Sequence, residues 1–178
     1  MTDWTPPTHV VSGTEIDSVK HNEEVVDNLL HLRSAQLVRL GRIAALAIPN
    51  NAWTGVPWDY QAHDTMDSWS STPYPERIYA TRPGFYRVSA QFLFPGDPVD
   101  PPGIRSIRCE RISTGGSVVV IQSPAIGGTR STAVSLAANV ELNGTTDYLY
   151  VSVYQDSGGT LTSAFAASHS FDLEWIGA

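Results

Sequence analysis

The stretch TRPGFYRVSAQFLF, Thr81 to Phe94, enters through Pro-Gly and then alternates without a break. Tyr86, Val88, Ala90, Phe92 and Phe94 fall on one side, and Phe85, Arg87, Ser89, Gln91 and Leu93 on the other. Only a strand sorts these residues so, because a helix would spread the apolar set around its circumference. The first face is a core face. The second is polar with a large hydrophobe at each end, and those ends need a contact other than water.

The same grammar continues along the chain after Pro49. Short alternating runs are separated by STPYPE, PGDPVDPPG, STGGS, SPAIGGTRS, NGTTD and DSGGT. Strands at this spacing with such turn chemistry predict an all-β sandwich or barrel. The expected strands are 78–81, 85–94, 104–112, 117–123, 131–142, 148–155 and 168–176. In YLYVSVYQ, Leu149, Val151 and Val153 point one way and Tyr148, Tyr150 and Tyr154 the other. Tyrosine is common where area is buried while its hydroxyl keeps a partner, which marks these three for a subunit interface. The competing reading is a set of exposed tyrosines paired across strands.

Before Pro49 the pattern is helical. Thr14 caps, with Asp17 three residues on, and Ile16, Val19, Val26, Leu30, Leu37 and Leu40 form one stripe interrupted by Glu23 and Arg33. One helix cannot bury its own stripe. It packs either on the β-domain or, with copies of itself, in a short parallel bundle, which is the expectation taken here. The chain therefore reads as an N-terminal arm and helix over 1–48 and a β-domain over 49–178.

Charge and chemistry remove several functions. The 178 residues are 42% hydrophobic and 16% charged, with a net charge of −7 and a pI near 5.0. No basic cluster exists to neutralise phosphates, so nucleic-acid binding is not expected. The N-terminus lacks the basic and apolar regions of a signal peptide, and IAALAI at 43–48 is too short to span a bilayer. A chain made in a cytosol, without membrane contact, is expected. His9, His21, His31, His63 and His169 are scattered without zinc spacing. HDTMD, with Asp59 nearby, reads as a solvated loop rather than a calcium site. No nucleophile elbow or phosphate loop occurs, so no catalytic residue, metal or cofactor is nominated. Cys109 fits a buried strand position, and the sequon at Asn143 fits a hairpin turn.

Two segments resemble known families. RIYATRPGFYRVSAQFLF resembles the aromatic-and-glycine segment of complement-globular-head and tumour-necrosis-factor-like jelly rolls, with Pro83, Gly84 and Tyr86 in a compressed turn. LNGTTDYLYVSVYQDSGG resembles the later Leu-x-x-Gly-Asp-x-Val-x-Val strand of that family, with Asp147 three residues after Gly144, and FDLEWIGA resembles its closing strand. The leader WTPPTHVVSGTEIDSVKHNEEVVDNLLHL resembles that of small phage virion proteins through Trp4, Val10 or Val11, Gly13, Asn22, Asp27, Asn28 and Leu29, with Val26 where arginine is usual.

These resemblances imply a TNF-like, trimeric jelly-roll β-sandwich, preceded by an extended arm and one α-helix, in a virion structural protein that is not an enzyme. Trp4, Pro6 and Pro7 are the expected attachment residues towards other virion proteins of the tail or capsid. Either the jelly roll is the tip of a short tail fibre or minor tail protein that contacts a host glycan or protein, or the chain decorates the capsid at a symmetry axis. The loops TMDSWSSTPYP and PGDPVDPPG suit such contacts and equally suit packing on a neighbour.

Overall fold

The computed structural model describes Val25, Val26, Leu29 and residues 36–96, 103–163 and 169–177. The chain divides into two units, Met1–Gln36 and Leu37–Ala178. Of the first, Val25, Val26, Leu29 and Gln36 are described; the first three are exposed and Gln36 is buried. The expected contacts Trp4, Pro6, Pro7, Ile16, Val19 and Leu30 lie outside the described residues, as does nearly all of the expected helix.

The second unit is all β. Its strands among the described residues are β1 (Leu37–Gly41), β2 (Leu46–Ile48), β3 (Thr54–Gly55), β4 (Tyr60–Asp64), β5 (Arg77–Tyr79), β6 (Pro83–Phe94), β7 (Ile104–Ser113), β8 (Gly116–Ile126), β9 (Thr132–Asn143), β10 (Tyr148–Gln155), β11 (Leu161–Ser163) and β12 (Ser170–Gly177). One sheet runs β4-β1-β12-β6-β9. The other runs β3-β10-β7-β8, with β5 also pairing with β10. A small β11-β2 pair completes the set. All the pairings are antiparallel, and the alternating inward faces of the two sheets supply one core.

The heptad stripe fails at its C-terminal end. Leu37 and Leu40 belong to β1, which pairs with β12 and β4, and not to a helix. Val38 and Leu40 alternate inward and are 0% and 1% exposed, so Leu40 lies in the core of its own subunit and is closed to a neighbour. The β-domain thus begins at Leu37 rather than after Ile48. IAALAI contributes β2, whose Leu46 and Ile48 point inward on either side of the exposed Ala47.

The long strands follow their sequence pattern. Tyr86, Val88, Ala90, Phe92 and Phe94 of β6 are buried, as are Leu149, Val151 and Val153 of β10. At the mouth of β6 the buried Tyr86 hydroxyl donates to the Arg82 carbonyl at 2.8 Å and accepts from the Arg82 N–H at 3.3 Å, closing the Pro-Gly turn. Cys109 of β7 is fully buried, and that burial pushes its thiol up to about 12, which leaves it inert as a nucleophile.

The β9–β10 turn is built by one asparagine. Asn143 Oδ1 accepts from the N–H groups of Thr145, Thr146 and Asp147, each at 3.0 Å, while Nδ2 donates to Thr146 Oγ1. The sequon amide is therefore spent on the turn. Gly144 follows at φ 73°, and a Cβ there would lie 2.2 Å from the backbone of Arg82 and Pro83. Gly144→Ala is expected to cost at least about 2 kcal/mol from left-handed strain and backbone displacement. Urea unfolding at constant m-value measures this loss, and a shift below about 0.5 kcal/mol contradicts the close approach of the two turns.

Candidate subunit interface

The outward tyrosines of β10 are each met by their own chain. Tyr148 packs on Tyr79, ring centroids 5.2 Å apart, and the Arg77 guanidinium lies 3.8 Å over Tyr74 and 5.0 Å from Tyr148. The Tyr150 hydroxyl occupies the place a Cβ on Gly55 would take, 2.0 Å from that position, so glycine in β3 lets the ring lie across the strand. Burial, then the charges of Glu76 and Glu110, push its phenol up. Tyr154 packs on Trp53 at 5.3 Å and donates to Asn51 Oδ1 at 3.0 Å, while Arg108 lies 4.1 Å over Trp53. All three tyrosines are half-buried within the single chain. Of the segments that cover them, 51–55 carries a strand too short to show a period in the sequence, while 74–79 ends in β5, which overlaps the expected strand 78–81.

Two other surfaces are uncovered. The first is the outward face of the β4-β1-β12-β6-β9 sheet. Across its middle the charges pair with each other, Arg39 with Asp172 at 2.5 Å and Arg87 with Glu174 at 3.2 Å. Such exposed pairs contribute little to stability, but within each pair the two charges offset one another. Beside them Ser89 and Gln91 of β6 pair with Ala137 and Ser135 of β9, giving a strip of uncharged side chains. At one end Phe85 and Ile176 are 48% and 42% exposed. This is the polar face with hydrophobic ends that the sequence of β6 displays.

The second surface is β8, the free edge of the other sheet. Val120, Ile121 and Ala125 pack against the core. Val118, Val119 and Ile126 are exposed, the last at 82%, and Ile126 pairs with the exposed Ile104. Pro124 sits in this strand, a place that only an edge tolerates. A long apolar edge left open is a template for pairing or docking. Phe85 and Ile176 on one patch and Val118, Val119 and Ile126 on another are the apolar anchors a subunit contact needs.

The HDTMD loop contains no metal arrangement among the described residues. Instead Asp64 accepts from the N–H groups of Met66, Ser68 and Trp69, so its carboxylate shapes the loop. His63 is exposed, whereas His169 is 2% exposed, stacked on Phe92 at 4.1 Å, with Nδ1 accepting from the Leu93 N–H. Burial first, and then the Arg42 charge, lower its pKa, against the opposing pull of Asp59. His169 is thus neutral in the folded state. The unfolded chain takes up that proton at the ordinary value of about 6.5, so stability is full above this pH and falls below it. The melting temperature is expected to drop between about pH 7 and pH 5.5, with the drop reduced in His169→Gln. An unchanged slope in that variant contradicts the assignment.

This two-sheet arrangement is a jelly roll of the C1q/TNF-like fold. The chain is similar to murine APRIL, at 12% identity and a TM-score of 0.63 over 80% of this chain and 100% of that one. It is likewise similar to the Eiger TNF of S. frugiperda, at 17% identity and 0.57 over 80% and 92%. The globular domain of zebrafish complement 1qA matches at 14% identity and 0.59 over 80% and 98%. No family model and no curated protein sequence matches the chain. At these identities the likeness shows the fold, and domains of this fold typically trimerise.

Proposed function

We propose that the chain is a trimeric structural protein of a bacteriophage particle, a short tail fibre or minor tail protein. Its N-terminal segment attaches to the particle, and its jelly roll faces outward to contact the host surface. The observation that carries the trimer is the pair of different uncovered patches on one subunit, the β6–β12 face and the β8 edge. When one patch docks on the other, the contact is heterologous, and a rotation that closes after three copies buries every patch. The fold, which typically forms trimers, supports that closure over an open filament. The phage setting rests on the leader resemblance through Trp4, Gly13, Asn22, Asp27, Asn28 and Leu29.

Attachment is assigned to the leader, with Trp4, Pro6 and Pro7 as its anchor. Because β1 begins at Leu37, the informative deletion removes residues 1–35 and leaves the jelly roll whole. The truncated protein is expected to fold and to be missing from purified particles, as read by immunoblot. Its presence on particles at the normal level places attachment in the β-domain instead. Labelling of heads rather than tails with an antibody to residues 37–178 assigns the chain to capsid decoration.

A further inference from the structure

The outward face of the β3-β10-β7-β8 sheet carries a row of aromatic rings that neither the core nor the proposed subunit contact uses. Tyr148, Tyr150 and Tyr154 stand on it, and cross-strand register places Tyr79 and Arg77 of β5 opposite the first two. Trp53 packs on Tyr154 at one end, and Tyr74 joins at the other beneath the Arg77 guanidinium. Tyr74, Tyr79, Tyr148, Tyr150 and Tyr154 are five of the chain's seven tyrosines, gathered on one surface. From Tyr148 to Tyr154 the row runs roughly 20 Å at the rise of an antiparallel strand. β7 separates it from the β8 edge, and the β6–β12 face belongs to the other sheet, so the row stays open in the proposed trimer.

Tyr74 is 48% exposed, while Trp53 and the other four tyrosines are half-buried. A protein contact draws its energy from apolar anchors that enter a partner's pocket, and recessed rings do not supply them. The Arg77 guanidinium lies over one face of Tyr74 at 3.8 Å, which leaves the opposite face to solvent. Beside the rings donors and acceptors alternate. Arg77 Nε stands 3.9 Å from Glu76 and Arg108 Nε 3.0 Å from Glu110, and Asn51 accepts from Tyr154. Each of these cations has a carboxylate of its own, so the row selects neither a polyanion nor a polycation. A ligand that gains here offers C–H surface to flat rings and, around it, groups that both donate and accept hydrogen bonds. A pyranose has both, with C–H bonds on its faces and hydroxyls at its rim, whereas a lipid chain lacks the rim.

We propose that this row binds a neutral polysaccharide of the host surface, laid along β10. Sugar rings stack on Tyr74 and Trp53, and their hydroxyls bond to Arg77 and Glu76 at one end and to Asn51 at the other. The proposal rests on the reading of the jelly roll as the host-facing part of a particle, and it names the chemistry and the place of that contact.

The test titrates fluorescently labelled full-length protein onto envelopes of the bacterium that the particle infects. The envelopes are left untreated, digested with protease, or oxidised with periodate, which cleaves the vicinal diols of sugars. Saturable binding is expected that survives protease and is lost after periodate. Tyr74→Ala and Trp53→Ala are each expected to weaken it about tenfold or more. Tyr60→Ala, which removes a 50% exposed tyrosine of β4 on the other sheet, is expected to leave it unchanged. Binding that survives periodate overturns the sugar, and its loss to protease turns the host contact into one with a protein. Periodate-sensitive binding that is unchanged in both folded variants overturns the location. No binding to untreated envelopes overturns the host-contact reading itself and the proposal with it. If Trp53→Ala does not fold, Tyr74→Ala, whose ring already stands half in solvent, decides.

Discussion

Phe85→Asp is expected to turn the trimer into a folded monomer. Phe85 stands at the open end of β6, 48% exposed, beside the bulge where β12 shifts register at Trp175 and Gly177. In the proposed trimer, docking of a β8 edge covers the exposed half of the ring. Aspartate loses that apolar contact and has to be desolvated, at several kcal/mol per buried ion. Symmetry repeats the penalty at all three contacts. Light scattering at micromolar concentration is expected to fall from three times 19.3 kDa to a single copy, with the far-UV circular dichroism retained. A variant that keeps its trimer mass and melting temperature shows that the contact avoids this end of β6.

Phe92→Ala acts on the subunit itself. Phe92 is 0% exposed and touches Phe94, with ring centroids 5.0 Å apart, as well as the stacked His169. Truncating such a ring costs about 3–5 kcal/mol in lost transfer energy and residual cavity. Folded domains hold only about 5–15 kcal/mol in all, so subunit and trimer are expected to unfold together at much lower urea. A loss below about 1 kcal/mol contradicts the placing of Phe92 at the centre of the sandwich. The two substitutions sit on opposite faces of one strand and separate cohesion between subunits from cohesion within one.

The long strands were legible because a period of two needs only length to declare itself. β6, β9 and β12 follow the alternation, and Leu149, Val151 and Val153 of YLYVSVYQ are buried as its pattern implies. The short ones were not. Leu37 and Leu40 are spaced for a heptad, and LVRLG alternates for too few residues to outweigh a helix running into it. β2, β3 and β11 have two or three residues each, held by pairing partners far away in sequence. Their existence is a tertiary fact.

The covered and uncovered surfaces were half legible for a similar reason. The outward face of β6 announces a contact at its ends, and Phe85 remains uncovered there. The tyrosines of β10 carry the same amphipathic signature, yet Trp53, Tyr79 and Asn51 of their own chain meet them, and nothing in the sequence pairs those residues with β10. A tyrosine row reports that something covers it. Whether that is the same chain or a neighbour depends on where distant loops return.

The most direct measurement is a density map of the intact particle by electron microscopy. The expected result is a threefold projection of three jelly rolls, with the β8 edge of each subunit against the Phe85 end of the next and residues 1–35 seated in the particle. A particle that lacks the protein, or carries it as single jelly rolls without threefold contact, contradicts the assignment of this chain as a trimeric virion protein.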